Sequence, residues 1–393
     1  MNTPKIRFKG FEDHWEQRKL GEVVGIYDGV HQTPQYQDSG IMFLSVENIT
    51  TLKSEKYISE EAFERDYKVY PEKGDILMTR IGDVGTTNVV QTKEKVAFYV
   101  SLALLKPKEI NSYFLSNAMK TSVFQKGLRE RTLVTAIPQK INKDEIGRVN
   151  VFITNNAEEQ KKIGDYFTAL DHLITLHQRK CDETKQLKKF MLQKMFPKNG
   201  EKNPKIRFEG FTDDWEQRKL GDVFKEYSEK HHEELPALTI VQGGGTIFRE
   251  ESDRSLQYDK SNLSGYKMVK KDDFIVHLRS FEGGLEKANS DGIISPAYHT
   301  MHGDNVDSRF YYPYFRSYDF INRKLVAHVY GIRDGRSIDI DGMKSIEIPY
   351  TSYEEQKTIG DYLDSLDHLI TLHQRKCEKL KELKKYMLHN MFV

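Results

Sequence analysis

The twelve-residue string LDHLITLHQRKC occurs twice in the chain, at 170–181 and again at 366–377. Around it, the blocks 158–196 and 354–392 are identical at 28 of 39 positions. Neither block contains a proline, and apolar residues recur at spacings of three and four. Each block is therefore predicted to form one long helix, about 58 Å in length at 1.5 Å per residue.

The apolar spacing within these blocks follows a heptad pattern over about four heptads, which is typical of a coiled coil. The predicted seam residues are Leu170, Ile174, His177, Cys181, Leu366, Ile370, His373 and Cys377. Beyond them we expect the seam to shift to Leu187 in the first copy and to Leu383 in the second. Each helix has a near-identical partner in the same chain, so we expect the two to pair antiparallel with pseudo-twofold symmetry.

The His-Cys pairs of the seam lie one turn apart and could in principle hold a metal ion. We favour a role in setting helix register, because polar seam residues commonly have that role in coiled coils. No other part of the sequence has zinc-ligand spacing, and we expect no metal site.

A second repeat precedes each long helix. Residues 4–23 and 204–223 are identical at 16 of 20 positions, whereas the blocks 24–157 and 224–353 share little beyond short strand-like runs and glycine turns. We predict a mixed α/β (α+β) protein with two globular domains and two long antiparallel helices. The expected segments are 1–157, 158–203, 204–353 and 354–393, alternating domain and helix. Unlike inserts in a duplicated frame indicate two different recognition surfaces, although a duplication whose inserts drifted would give the same pattern.

Composition limits the function only broadly. The 393 residues carry a formal net charge of +1, so any affinity for nucleic acid must come from local patches or from partner chains. There is no signal-like segment and no apolar run of membrane-spanning length, and the two cysteines cannot form a disulfide framework. We expect a cytoplasmic protein that is not associated with a membrane.

Polar side chains are concentrated near glycine turns and in a later polar segment of each variable block. Arginine, amide and hydroxyl groups are the ones that contact phosphates and the edges of bases. As binding residues we predict Arg80, Thr86, Thr87, Asn88, Arg131, Gln139 and Lys140 in the first block, and Arg279, Lys287, Arg333 and Arg336 in the second. Each of them could instead belong to an ordinary surface loop.

Motifs of catalysis are missing from the sequence. No Gly-Lys pair occurs, which excludes a P-loop, and no Pro-Pro pair is present to form an amino-methyltransferase motif. No Gly-x-Ser-x-Gly elbow is found. These absences favour a binding module without catalytic residues or a cofactor of its own.

The head of each half, WEQRKLG at 15–21 and 215–221, is followed by a variable block and then by EEQ and LDHLITLHQRKC. In this order the motifs closely resemble the specificity subunits of type I restriction-modification systems over essentially the whole chain. The resemblance implies two target recognition domains that read the halves of a split, asymmetric DNA sequence, with the helices setting the distance between them. It also implies two modification subunits that bind S-adenosylmethionine and methylate adenine, and restriction subunits that use ATP and Mg²⁺.

The alternatives to this function are a protein-binding adaptor and a self-sufficient enzyme. A coiled-coil adaptor whose domains bind proteins would be insensitive to DNA sequence. A self-sufficient nuclease or methyltransferase is disfavoured by the missing motifs.

Overall fold

The computed structural model describes residues 3–198, 200–252, 260–331 and 336–393. The chain divides into two compact units, one of Met1–Gln178 with Gln374–Val393 and the other of Arg179–His373. Each long helix is thus shared between the units. These units do not test the expected borders of the segments 1–157, 158–203, 204–353 and 354–393, which remain a prediction.

The first unit is of mixed α/β type. Its strands are β1 (Glu16–Lys19), β2 (Val24–Asp28), β3 (Ile41–Leu44), β4 (Tyr57–Ile58), β5 (Ile76–Thr79), β6 (Thr87–Val89), β7 (Val96–Phe98), β8 (Leu102–Pro107) and β9 (Asn150–Ile153). Its helices are α1 (Leu20–Val23), α2 (Glu60–Asp66), α3 (Ser112–Ala118), α4 (Ser122–Arg131), α5 (Lys143–Gly147) and the start of α6 (Ala157–Lys194).

The sheets of this unit enclose two hydrophobic cores. A four-stranded antiparallel sheet has the order β2-β8-β5-β6, a smaller sheet has the order β4-β3-β7, and β1 pairs with β9. One core lies around Trp15, whose ring packs against Phe114 of α3 at 5.4 Å and against Phe392 at 5.7 Å. Phe392 therefore contributes directly to the core of the first unit.

The second unit repeats this plan. Its strands are β10 (Glu216–Lys219), β11 (Lys225–Tyr227), β12 (Leu238–Val241), β13 (Gly245–Phe248), β14 (Lys267–Val269), β15 (Phe274–Val276), β16 (Glu286–Lys287), β17 (Gly292–Ile294), β18 (His299–His302), β19 (Val329–Tyr330), β20 (Ser337–Ile338) and β21 (Glu347–Tyr350). Its helices are α7 (Leu220–Val223), α8 (Ser280–Gly283), α9 (Ser308–Phe315), α10 (Ile340–Lys344) and the start of α11 (Tyr353–Asn390).

The order β11-β18-β15-β16 in its main sheet matches β2-β8-β5-β6 of the first unit. Trp215 packs against Phe310 and Phe196, as Trp15 packs against Phe114 and Phe392. The expected repeat of a mixed α/β scaffold is confirmed.

The EEQ motif attaches each long helix to its own globular part. Glu159 is fully buried and accepts two hydrogen bonds from Arg7, at 2.5 and 2.9 Å. Gln160 accepts a hydrogen bond from the backbone N–H of Asn111, the residue that caps α3, and donates one to the carbonyl of Thr154. A buried charge is tolerated because it is paired, and the paired side chains fix the start of the helix against the sheet.

The second copy of the motif makes the same contacts. Glu355 accepts hydrogen bonds from Arg207 at 2.7 and 2.9 Å, and also one from the Trp215 indole N–H at 3.0 Å. Gln356 binds the backbone of Asp307, the cap of α9, and that of Thr351.

The helices form antiparallel pairs inside each unit. In the first unit Lys384 binds the carboxylate of Asp171, and the Cys377 thiol lies 3.9 Å from the carbonyl oxygen of Ile174. In the second unit Lys188 binds Asp367 at 2.6 Å, and Cys181 lies 4.0 Å from the carbonyl oxygen of Ile370. The two long antiparallel helices expected from the sequence are confirmed.

The heptad pattern continues without the expected shift. Leu187 and Leu383 are 43% and 41% exposed, whereas Lys188 and Lys384 occupy the next seam positions with only 22% and 17% of their side chains exposed. The expectation that leucines continue the seam was wrong. Lysine is accommodated there because its aliphatic stem packs in the seam while its ammonium group reaches an aspartate on the facing helix.

Candidate functional site

The first unit presents an exposed tip made of two loops. The turn after β5 meets the loop 132–140 through a reciprocal pair of hydrogen bonds, in which Gly82 N–H donates to the Gln139 carbonyl and the Gln139 amide donates to the Gly82 carbonyl, at 2.8 and 2.9 Å. Within the loop, Leu133 and Lys140 pair as an isolated antiparallel bridge. These bonds make a defined protrusion at the end of β5.

Apolar side chains project from this tip together with polar ones. Ile137 is 100% exposed and Val134 68% exposed, while Gln139 and Lys140 are exposed beside them. Clustered apolar groups at the surface often mark a site that a partner covers, so the exposed loop is a candidate contact surface. The sequence prediction included the amide and the lysine but missed the apolar residues, because the string LVTAIPQK at 133–140 does not distinguish a core segment from a loop tip.

The second unit has an equivalent tip between the end of β15 and the β19–β20 hairpin. Leu278 is 66% exposed and Tyr330 59% exposed, and Arg279 is exposed next to Leu278. Arg336 places its guanidinium over the ring of Phe281, 5.6 Å from the ring centroid. The predicted residue Arg333 lies outside the described residues.

His277 lies directly below this second tip. Its Nδ1 accepts a hydrogen bond from the backbone N–H of Arg279 at 3.3 Å, and its buried Nε2 has no partner among the described residues. Burial lowers the pKa of His277, Glu286 opposes this shift, and Arg316 adds a smaller effect in the same direction as burial. The imidazole is therefore held neutral, and it supports the turn that carries Arg279.

Several predicted binding residues are engaged inside the first unit. Arg80 is buried, where it binds the carboxylate of Asp28 and donates to the carbonyl of Ile141 at 3.1 Å. The Thr87 hydroxyl is buried against Ser116, and the Asn88 amide donates to two backbone carbonyls of the loop at 49–50. These contacts hold together the segments that carry the tip. Contact of the same side chains with a ligand stays a prediction.

The remaining predicted residues differ in their exposure and in their contacts. Thr86 is exposed and its backbone N–H donates to Thr79. Arg131 is half-buried at the end of α4, where it donates to the carbonyl of Gly127 at 3.2 Å. Lys287 lies on β16 and binds Asp272 at 2.9 Å, away from the turn that carries Arg279. The structure thus brings Gln139 and Lys140 together at one tip, and Arg279 and Arg336 at the other.

Metal-ligand clusters and membrane-spanning helices are both absent from the described parts of the chain. These residues contain no group of three or more histidine, cysteine, aspartate or glutamate side chains placed to hold a metal ion. Among the same residues, none of the helices combines the length and apolar character needed to cross a bilayer.

The fold matches that of a solved specificity subunit. The crystal structure of the type I restriction-modification system S subunit from M. genitalium superposes with a TM-score of 0.65 and 14% sequence identity, covering 100% of this chain and 99% of that one. Together with the duplicated mixed α/β units, this similarity assigns the fold of the chain.

Sequence comparison then gives the family. The model of the type I restriction modification DNA specificity domain matches the chain twice, over 12–186 and 212–382. The chain belongs to this family and is a type I restriction-modification specificity subunit, as the sequence motifs indicated.

Two curated relatives, both from Methanocaldococcus jannaschii, agree with this assignment. A type I restriction enzyme specificity subunit named MjaX is 24% identical over 413 residues, which cover 99% of this chain and 95% of the relative. The MjaVIII specificity subunit is 25% identical over 304 residues, covering 72% of this chain and 70% of the relative.

Proposed function

We propose that this chain reads a split, asymmetric DNA sequence, with one exposed tip for each half. The observation that carries the proposal is that the two frames repeat the same contacts, whereas the tips they support have different side chains. The first tip combines Gln139 and Lys140 with exposed aliphatic groups, and the second combines Arg279 and Arg336 with exposed Leu278 and with aromatic groups. Amides and guanidinium groups recognise different base edges, so unlike tips favour unlike half-sites.

An exchange of the first variable block tests this assignment. Replacing 24–157 with the corresponding block of another family member should change only one half of the sequence that the assembled complex methylates. Sequencing of methylated DNA gives the result directly, and a change in both halves would contradict the proposal. Binding that is insensitive to DNA sequence would support the protein-adaptor alternative instead.

Smaller substitutions test the tips themselves. Gln139→Ala and Arg279→Ala should each weaken discrimination at one half-site by about 1–3 kcal/mol, the value of one bidentate pair of hydrogen bonds to a base edge. Lys93→Ala, at an exposed site outside the tips, is the matched control. If methylation specificity is unchanged in both tip variants, other residues must read the bases.

We also propose that the helices set the gap between the half-sites. The antiparallel pairing in each unit fixes the helix against the facing segment, so an added turn cannot be absorbed by a flexible linker there. Insertion or deletion of about four residues in the region from Leu173 to Leu187, close to one turn at 3.6 residues per turn, should change the permitted gap. An unchanged gap would exclude this role.

Exposed apolar residues on the helices support the proposal that modification subunits bind there. Leu173, Leu187 and Phe190 on α6 are exposed, and so are Leu369, Leu383 and Tyr386 at the corresponding repeat positions of α11. The first unit carries Leu173, Leu383 and Tyr386, and the second carries the equivalent Leu369, Leu187 and Phe190, which suits two copies of the same partner. Leu383→Gln with Tyr386→Gln should reduce co-purification of the modification subunit, whereas Glu382→Ala at an exposed polar site should not. Equal recovery with both variants would count against this surface.

In this proposal the chain has no catalytic site and no cofactor of its own, and it directs adenine methylation and restriction by its partners. S-adenosylmethionine, ATP and Mg²⁺ would be bound by the modification and restriction subunits. The purified chain should neither methylate nor cut DNA when these compounds are added, and activity of the chain alone would overturn this part of the proposal.

A further inference from the structure

The first unit contains a cleft of about 730 Å³ between β6, α3 and α6. Its lining includes Asn88 of β6, Ser116 of α3 and Lys120 just after that helix. Clefts of roughly 300–1,000 Å³ are typical of small-ligand sites. The tip residues Gln139 and Lys140 do not line it, whereas Thr86, at the end of the turn after β5, does.

The internal repeat shows what occupies the corresponding place in the second unit. In the first sheet Leu77 pairs with both Leu104 and Asn88, and in the second Ile275 pairs with both Thr300 and Glu286. Since Tyr27 pairs with Leu104 as Tyr227 pairs with Thr300, Asn88 and Glu286 stand at equivalent strand positions.

The helices after these strands are also in register. The caps of α3 and α9, Asn111 and Asp307, both bind the glutamine of an EEQ motif through their backbone N–H groups. From this alignment Ser116 corresponds to Tyr312, and Lys120 corresponds to Arg316.

In the second unit these equivalent residues form a closed network around a carboxylate. Glu286 is fully buried, accepts hydrogen bonds from the backbone N–H groups of Gly243 and Gly245 at 2.7 and 3.1 Å, and accepts one from the Tyr312 hydroxyl at 2.6 Å. Arg316 completes the network with an ion pair to the same carboxylate. The cation at this position is thus neutralised by the protein itself.

In the first unit a cation, Lys120, occupies the position of Arg316. Asparagine replaces the carboxylate of Glu286, and serine replaces the ring of Tyr312. Asn88 uses its amide to bind the loop at 49–50, and Ser116 is smaller than the tyrosine it replaces, which leaves the cleft open. The ammonium group of Lys120 makes no hydrogen bond or ion pair with any described residue. Its nearest charged neighbours are Lys384 and Asp171, which are paired with each other.

The other donors around the cleft are suited to an anion with several oxygens. Lys53 is exposed at the rim without an ion pair among the described residues, and the Thr92 hydroxyl also lines the space, whereas the Thr175 hydroxyl donates to the carbonyl of Asp171. Lysine ammonium and hydroxyl groups are common phosphate ligands, with lysine acting as a point charge. The volume also exceeds what a single carboxylate requires.

We propose that this cleft binds a phosphate group, with Lys120 as its main cationic ligand, at the place where the second unit carries the carboxylate of Glu286. The phosphate could come from the DNA backbone or from a free phosphorylated compound. A bound anion would offset the cost of the half-buried, unpaired ammonium group.

Binding of inorganic phosphate to the full chain, measured by calorimetry at constant ionic strength against chloride, tests the site. We expect one phosphate per chain, with at least tenfold weaker binding in Lys120→Met and in Asn88→Glu, which would supply the missing carboxylate internally. Lys93→Met, which removes an exposed lysine outside the cleft, should bind phosphate as the wild type does. No binding by the wild type, or equal binding by Lys120→Met, would overturn the proposal.

A pH profile separates a binding role for Lys120 from a structural one. Burial, together with repulsion from Lys384, lowers the pKa of Lys120 to about 8, whereas Asp171 acts in the opposite direction. Binding of the phosphate dianion should therefore weaken as the pH rises through this range, and this weakening should be absent in Lys120→Met. A profile that is flat from neutral to alkaline pH in the wild type would contradict the assignment.

Competition identifies the source of the phosphate. If the cleft holds a backbone phosphate, duplex DNA should displace inorganic phosphate and Lys120→Met should weaken DNA binding. If the ligand is a free compound, DNA and phosphate should bind independently. Both outcomes require phosphate binding at the cleft, and both leave the reading of the half-sites to be tested separately by block exchange.

Discussion

Replacement of Glu355 by alanine should be among the most destabilising single changes in the chain. The carboxylate is 1% exposed and receives hydrogen bonds from Arg207, from the Trp215 indole and from the Thr351 hydroxyl. Its removal leaves Arg207 without its counter-ion and the indole N–H without its acceptor. Loss of one partner from a buried pair costs about 3–5 kcal/mol, and removal of a neutral hydrogen bond adds about 1 kcal/mol.

The internal repeat supplies a quantitative comparison for this prediction. Glu159 is equally buried and binds Arg7, but the Trp15 indole N–H has no acceptor among the described residues. Glu159→Ala should therefore cost about 2 kcal/mol less than Glu355→Ala, since neither a tryptophan nor a threonine hydrogen bond is broken. The exposed neighbour Glu354 serves as the matched control, and Glu354→Ala should change stability by no more than about 0.5 kcal/mol.

Scanning calorimetry of the full chain gives the measurement. For a folding unit of this size, 1 kcal/mol corresponds to a shift in Tm of about 2–4 °C, so a loss of about 4 kcal/mol should lower the transition of the affected unit by roughly 8–16 °C. If Glu355→Ala unfolds at the same temperature as Glu354→Ala, the buried carboxylate does not stabilise the fold as reasoned.

Three further changes probe other contacts. Gly164→Ala should destabilise the first unit by about 1–3 kcal/mol in urea unfolding, because the added Cβ would lie 2.7 Å from the Asn111 side-chain oxygen. Alanine ordinarily favours a helix over glycine, so increased stability would show that this close contact is unimportant. Acidification below about pH 6.5 should lower the unfolding free energy of the second unit, since the depressed pKa of His277 means that the unfolded state takes up the proton first. This loss should be smaller in His277→Gln, and identical pH profiles would exclude it. Lys384→Met should raise the pKa of Lys120 towards its ordinary value by removing a neighbouring charge, which lysine NMR can measure, and an unchanged pKa would show that burial alone causes the shift.

The frame of the protein could be predicted because its signals are local. The heptad spacing and the absence of proline defined both long helices to within two residues of the observed start at Ala157 and end at Lys194. The EEQ motif could be recognised in the sequence, but its physical role could not, because Arg7 contacts Glu159 across 152 positions of the chain. Such a contact becomes visible only after the sheet has placed the two segments together.

The tips were harder to predict because polar residues near a turn can face either way. Arg80 and Gln139 both lie in segments that are rich in polar residues and glycine, yet Arg80 turns inward to Asp28 while Gln139 reaches the surface beside Gly82. Arg80 turns inward because the carboxylate of Asp28 lies within reach, and no spacing in the sequence reveals that contact. Exposed aliphatic residues such as Ile137 were missed for the related reason that an apolar side chain in a short segment is normally buried.

The differences between the units carry information that neither unit provides alone. A lone half-buried lysine would be explained as a tolerated surface residue, and a cleft beside it as imperfect packing. The second unit shows that the same scaffold position can be filled, because Tyr312 and Glu286 close it around Arg316. The open cleft at Lys120 is therefore not a requirement of the fold, and the residues at 88 and 116 contribute to the difference in charge and volume. Comparison of the two copies of the repeat thus identifies positions, such as 88, where one copy lacks a group that the other supplies.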